Sequence, residues 1–461
     1  MERWTRRSVI ASGLALAGCA AFDRPRLETV YRDAAAVTGG PRPPLILIPG
    51  AFGSSLRHRQ TRDEIWPASD PKLLLGNYRE LEMPIDPDSL EPVADGVEAY
   101  AIFRQGLGRD FYGQVLDTLQ QVGGYRICSA GKPIGDDSCS RLYLHLYDFR
   151  LDNPNAARGL ATLVRQIQAD HGDPSLQVDI VAHSNGGLLA RYFARYGDAA
   201  LPAEGSFEPT CAGARSIRRL LLVGTPNLGT AQPVLSLLRG EEIGLRSIPQ
   251  EVMATCPGVT QAMPHPSVPW LVDMRGNRID ADLYDLATWR NFGWGLFDPK
   301  IASRTIEMHG GGAAGRSYLA LLRDFLAKHL QRGRRFAESL ETPSSPDDVQ
   351  PWVFGGDCER TLARMVVENV DGVFHARESV KDIAEPVPGV DYESAMYEPG
   401  DMVVTRSSLL GQRTLVVSAP PEPPESLRVA RSVFLCERHQ QLTGNVSFQE
   451  NLLNALFSDE A

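Results

Sequence analysis

Short apolar runs alternate along this chain with longer stretches in which apolar residues recur every three or four positions. The runs predict strands from Leu45 to Ile48, Leu142 to Tyr147, Gln177 to Ala182, Arg219 to Val223, Trp352 to Phe354 and Ser432 to Leu435. The helical spacing falls at about 110–122, 155–170, 187–196 and 316–331, with a last helix at the C-terminus. Strand and helix in alternation predict an α/β architecture, a mostly parallel sheet with helices on both faces. The stretch 235–305 breaks the rhythm. Rich in Pro, Trp and Met, it reads either as a cap or lid over a site or as an insertion whose aromatics pack on one another. Residues 341–351 and 419–426 read as Pro-rich loops.

The N-terminus has a different pattern. Arg3, Arg6 and Arg7 precede an apolar run from Val9 to Ala17, too short to span a bilayer and long enough for a signal peptide. The run ends in Leu16-Ala17-Gly18-Cys19, which resembles a bacterial lipobox, so residues 1–19 are expected to be a signal whose Cys19 becomes the lipidated residue. Residues 20–43 would then be a tether, and 44–461 the folded domain. The expected location is the cell envelope of a bacterium, with the membrane as partner through Cys19.

Composition adds little beyond exclusions. A net charge of −10 leaves no basic surplus for nucleic acid. No Cys/His cluster has zinc spacing and no acidic loop resembles a calcium site, so neither metal nor cofactor is expected. Besides Cys19 there are six cysteines, expected as disulfides Cys128–Cys139, Cys211–Cys256 and Cys358–Cys436 in an exported chain. Oligomeric state is left open.

Candidate chemistry begins at Val178 to Arg191, where an apolar strand enters a tight turn, Ala182-His183-Ser184-Asn185-Gly186, and a helix follows at once. Such a turn forces a serine into a strained backbone and aims its hydroxyl above the sheet, provided the residues two before and two after are small. Ser184 is thus the candidate nucleophile of an α/β-hydrolase fold, and the N–H of Asn185 a candidate oxyanion donor. A second donor is expected in Pro49-Gly50-Ala51-Phe52-Gly53, from Ala51 or else Phe52. The base is expected late in the chain, at His439 after the last strand, with His375 as the alternative. His183 faces the wrong way, and His329 reads as a surface residue. For the acid, Asp401 opens an apolar stretch after a Gly turn, Asp357 follows a strand, and Asp371 competes.

Five motifs in order resemble the lecithin:cholesterol acyltransferase-like lipases and acyltransferases. They are Ile48-Pro49-Gly50-Ala51-Phe52-Gly53-Ser54, Tyr147-Asp148-Phe149-Arg150, the elbow, Gly224-Thr225-Pro226-Asn227-Leu228-Gly229, and Gly400-Asp401-Met402-Val403-Val404-Thr405, with His439 after them. The last motif departs from the family at Met402-Val403, where Gly-Thr is usual. The resemblance implies that Asp401 is the acid, that an acyl-enzyme forms on Ser184 from a lipid ester, and that 235–305 is the lid. It also places Trp66 near a membrane-facing subdomain. Two further readings stand beside it: a lipid-anchored binding protein without turnover, and a carboxylesterase for soluble esters.

Overall fold

A computed structural model describes residues 42–458 apart from 67–69, 135–138, 344 and 414–425, together with 31–32. The expectations for residues 1–19, for Cys19, for nearly all of the tether and for most of the 419–426 loop lie outside the described residues.

Seven strands form the central sheet: β1 (Leu45–Ile48), β2 (Tyr125–Ile127), β3 (Ser140–Leu144), β4 (Val178–His183), β5 (Ile217–Val223), β6 (Trp352–Gly356) and β7 (Arg431–Leu435). Their order across the sheet is β7-β6-β5-β4-β1-β3-β2, every pair parallel. This is the α/β-hydrolase fold, and the six strands expected from the apolar runs are all in it. The seventh, β2, is a three-residue edge strand with two exposed residues, so it carries no apolar run to betray it.

Apolar runs are what a sheet covered on both faces requires, because successive residues bury in opposite directions. Ile46, Ile48, Ile180 and Leu222 pack with α2 (Asn153–His171), α3 (Asn185–Tyr196) and α5 (Gly312–Leu340). Leu45, Leu47, Val181 and Leu221 pack with α1 (Gly113–Gln121) and α6 (Val446–Phe457). Remaining in the set is α4 (Gln232–Arg239), which follows β5. On α5 the buried face runs through Leu322, Phe325, Leu326, His329, Leu330 and Gly333. His329 is therefore not a surface residue: it packs against Phe325 and its Nε2 lies 3.1 Å from the Leu90 carbonyl.

Among the described residues one disulfide is formed, Cys358–Cys436, at the paired ends of β6 and β7. The other two expected pairings are not. In the parallel register of β2 and β3, Ile127 stands opposite Leu142 and Tyr125 opposite Ser140. Cys128 and Cys139 thus lie at opposite ends of the pair, offset by four positions at about 3.3 Å each, beyond disulfide reach. The Cys128 thiol donates instead to the Arg126 carbonyl. Cys211 bonds Ser345 and Asp348, whereas Cys256 is buried beside Val252 and Leu81.

The segment 235–305 divides in two. Its first part, with α4, a hairpin at 241–248 and two short helices at Gln250–Met253 and Pro257–Thr260, lines a cavity above the sheet. The aromatics of its second part pack on one another and on a later hairpin: Trp289, Phe292 and Trp294 form one cluster with Phe374, and the indole of Trp294 donates to the Phe374 carbonyl.

Candidate active site

The C-terminal end of β4 runs straight into α3 with a single residue between, Ser184, at φ 54° and ψ −127°. Left-handed φ at a serine is uncommon and needs a surrounding that enforces it. Here small neighbours do so. A Cβ on Gly186 would collide with the Pro49 carbonyl, and one on Gly50 would come 2.8 Å from the Ser184 Cβ. The loop 49–53 and the elbow can approach only because neither position has a side chain.

Ser184 at the end of β4, His439 in the turn after β7 and Asp401 in a loop over the end of β6 come together. His439 Nε2 lies 2.9 Å from Ser184 Oγ, and His439 Nδ1 lies 2.8 Å from Asp401 Oδ2. Asp401 is buried, and its second oxygen accepts from the N–H groups of Val403 and Val404, at 3.0 and 2.7 Å. Its own carbonyl accepts from the His439 N–H at 2.9 Å. Carboxylate and backbone thus both hold the imidazole, with the proton on Nδ1 and a bare Nε2 facing the serine. Met402 takes φ +78°, the region that favours glycine, which accounts for the Gly that the resemblance expects there.

The competing residues lie elsewhere. Asp357 caps the end of β6, 3.6 Å from Arg406. It is displaced by one layer: the Asp401 loop lies across Gly356, where a Cβ would come 2.8 Å from that of Asp401. Asp371 occupies the turn of a separate hairpin, and His375 sits on that hairpin opposite Glu368.

Among the described residues, the N–H groups of Ala51, Phe52 and Asn185 have no acceptor, and all three residues line the cavity that contains Ser184. The Asn185 side chain turns away, bonded to Tyr147 Oη and Asn153. Phe52, at φ +61°, is held by Trp66, whose indole donates to its carbonyl at 2.7 Å. Trp66 is buried, packed on Phe52 and Phe149, and is part of the cavity wall. Tyr147 donates to the Pro49 carbonyl, and Arg150 is forked onto Asp148 with Asp95 on its other nitrogen. The motif at 147–150 therefore braces the loop 49–53 from beneath. The ties that do the bracing are not visible locally, because Tyr147 and Pro49 are 98 positions apart and Arg150 and Asp95 are 55 apart.

The cavity holds about 610 Å³. Phe52, Trp66, Phe103, Phe111 and Phe149 give it an apolar wall, and Gln232, Ser236 and Glu241 a polar one opposite in composition. Burial raises the Glu241 carboxyl above the usual range, against the hydrogen bonds from Ser236 and Gln232 that lower it. Burial also drives His183 down to about 3, which leaves it neutral beside His439.

Residues 140–279, which include the elbow, match the family model of lecithin:cholesterol acyltransferase. No curated protein matches the chain. Among solved structures, a chain of the Tle4–Tli4 complex aligns with 90% of this chain and 97% of its own at 14% identity, with a TM-score of 0.52. The mature Bacillus licheniformis lipase BlEst2 aligns with 90% and 92% at 11% identity and a TM-score of 0.30. EstA from Clostridium botulinum aligns with 92% and 89% at 12% identity and a TM-score of 0.33. The chain is thus similar to the lecithin:cholesterol acyltransferase family over the segment that carries its elbow.

Proposed function

We propose that this chain, lecithin:cholesterol acyltransferase-like across its elbow, is a serine hydrolase of lipid acyl esters. The observation that carries the reading is the hydrogen-bonded line Ser184–His439–Asp401, which opens into a cavity with an apolar wall. Ser184 Oγ attacks the ester carbonyl while His439 Nε2 takes its proton. Asp401 stabilises the imidazolium, and the Asn185 amide with that of Ala51 or Phe52 receives the oxyanion. The proton then passes from His439 to the leaving alcohol, leaving an acyl group on Ser184. Water, or an alcohol acceptor, enters by the reverse sequence and releases it. The apolar wall would hold the acyl chain, and the elements at 232–262 would act as the lid.

A fluorophosphonate probe tests this, since it reports an activated serine whatever the substrate. Labelling is expected in the wild type, strengthened by detergent or vesicles, and lost in Ser184→Ala and His439→Ala. Labelling that persists in Ser184→Ala would overturn the assignment. We further propose that Cys19 carries a lipid that anchors the protein in the bacterial envelope. Metabolic labelling with a radioactive fatty acid should then be lost in Cys19→Ser.

A further inference from the structure

His183 and Tyr112 are buried polar groups that the proposed reaction does not use, and both stand against the residues that it does. The Gly50 N–H lies 2.8 Å from Tyr112 Oη, Tyr112 Oη lies 2.8 Å from His183 Nδ1, and His183 Nε2 lies 3.3 Å from the carbonyl oxygen of His439. The direction of every bond in this series is fixed. A backbone N–H can only donate, so the phenol accepts from Gly50, and a carbonyl can only accept, so His183 Nε2 carries the hydrogen that goes to His439. The neutral ring then has a bare Nδ1, which accepts the one proton of the phenol.

We infer that Tyr112 and His183 are positioning residues, which lock the oxyanion loop and the histidine base into one frame around Ser184. The inference rests on the proposed roles of Ser184, His439 and Asp401. At one end of the series is Gly50, whose backbone passes so close to the elbow that a Cβ would lie 3.2 Å from His183 Nδ1. At the other end is the backbone of His439, whose ring must keep Nε2 on Ser184 Oγ. A second tie runs in parallel, since Thr443 Oγ1, in the turn that begins at His439, bonds the carbonyl of Phe111, next to Tyr112. Charge matters as well. The rings of His183 and His439 are 5.0 Å apart, so a cationic His183 would oppose the imidazolium that His439 becomes. Burial pushes His183 down to about 3 and raises the Tyr112 phenol, so both stay neutral and the series keeps its direction.

Three variants separate this from plain packing. Tyr112→Phe removes the hydroxyl at nearly constant volume. His183→Gln keeps a donor near the Nε2 position and gives up the acceptor to Tyr112, and His183→Asn does the converse. Each should lower kcat on the order of tenfold, because a small displacement of base or oxyanion donor is felt in the transition state. KM should change by less than about twofold, since the ground-state contacts are untouched. In the Tyr112→Phe, His183→Gln double variant the loss should match the worse single variant, as expected of one connected unit. Full kcat in all three, a loss confined to KM, or losses that multiply in the double variant would overturn the inference. If Tyr112→Phe fails to fold, the two His183 variants decide the question alone. Activity that survives Ser184→Ala would instead remove the triad reading itself, a result these variants cannot mimic.

Discussion

At the scale of single residues, the acid is the informative case. The bare fold would put it at the end of β6, where Asp357 stands, yet the carboxylate on His439 is that of Asp401, carried across Gly356 by a loop from later in the chain. Asp401→Asn should therefore lower kcat on the order of 10³–10⁴-fold, because an amide cannot hold the Nδ1–H tautomer. Asp357→Asn should stay within about twofold of wild type, losing only a surface ion pair with Arg406. Measured on the same ester, a loss at Asp357 with none at Asp401 would reverse the assignment. In the sequence, three aspartates shared the same kind of setting, a turn beside an apolar stretch. What distinguished Asp401 was the motif around it, and what brought it to His439 was a contact across 38 positions.

At the scale of elements, the paired ends of β6 and β7 matter most, since the chain leaves β7 for His439. Cys358–Cys436 joins those ends and closes a loop of 78 positions in sequence. On the chain-entropy account, such a cross-link stabilises by about 4.5 kcal/mol. Cys358→Ser with Cys436→Ser should thus lower the thermal midpoint by several degrees, and should lower kcat because Cys436 lies three positions before His439. An unchanged midpoint in the double variant would mean that the strand pairing holds these ends unaided. The pairing was legible because both cysteines follow late apolar runs. The others misled because parity in an exported chain says only that pairs are possible; Cys128 and Cys139 are near in sequence but sit at opposite ends of two parallel strands.

At the scale of the whole molecule, burial sets the response to pH. His145, His183 and His265 are buried, and desolvation drives them to about 4, 3 and 4. In the folded chain they are neutral, whereas the unfolded chain takes up protons on them below about 6.5. Stability should be complete above that value. As pH falls toward 4 it should drop by up to about 1.4 kcal/mol per unit for each histidine. Urea midpoints at pH 7 and pH 5 measure this. His145→Gln, which keeps a donor for the Ala156 carbonyl, should make the decline shallower by one proton. Equal midpoints at the two pH values would mean that these rings are solvated or protonated in the fold.

Sequence alone determined whatever rests on neighbours within a turn or two. Apolar runs became strands because a doubly covered sheet buries every residue along them, and Ala182-His183-Ser184-Asn185-Gly186 became an elbow because small flanking residues permit the strained serine. The β2 edge strand, the buried face of His329 and the wall position of Trp66 were not legible, since each depends on what packs against it. Tertiary structure alone decided how the parts meet. Tyr112 reaches Gly50 across 62 positions and His183 across 71, and His439 reaches Ser184 across 255. Contacts at such separations leave no local periodicity, because the chain between them is free to vary as long as it returns to the same place.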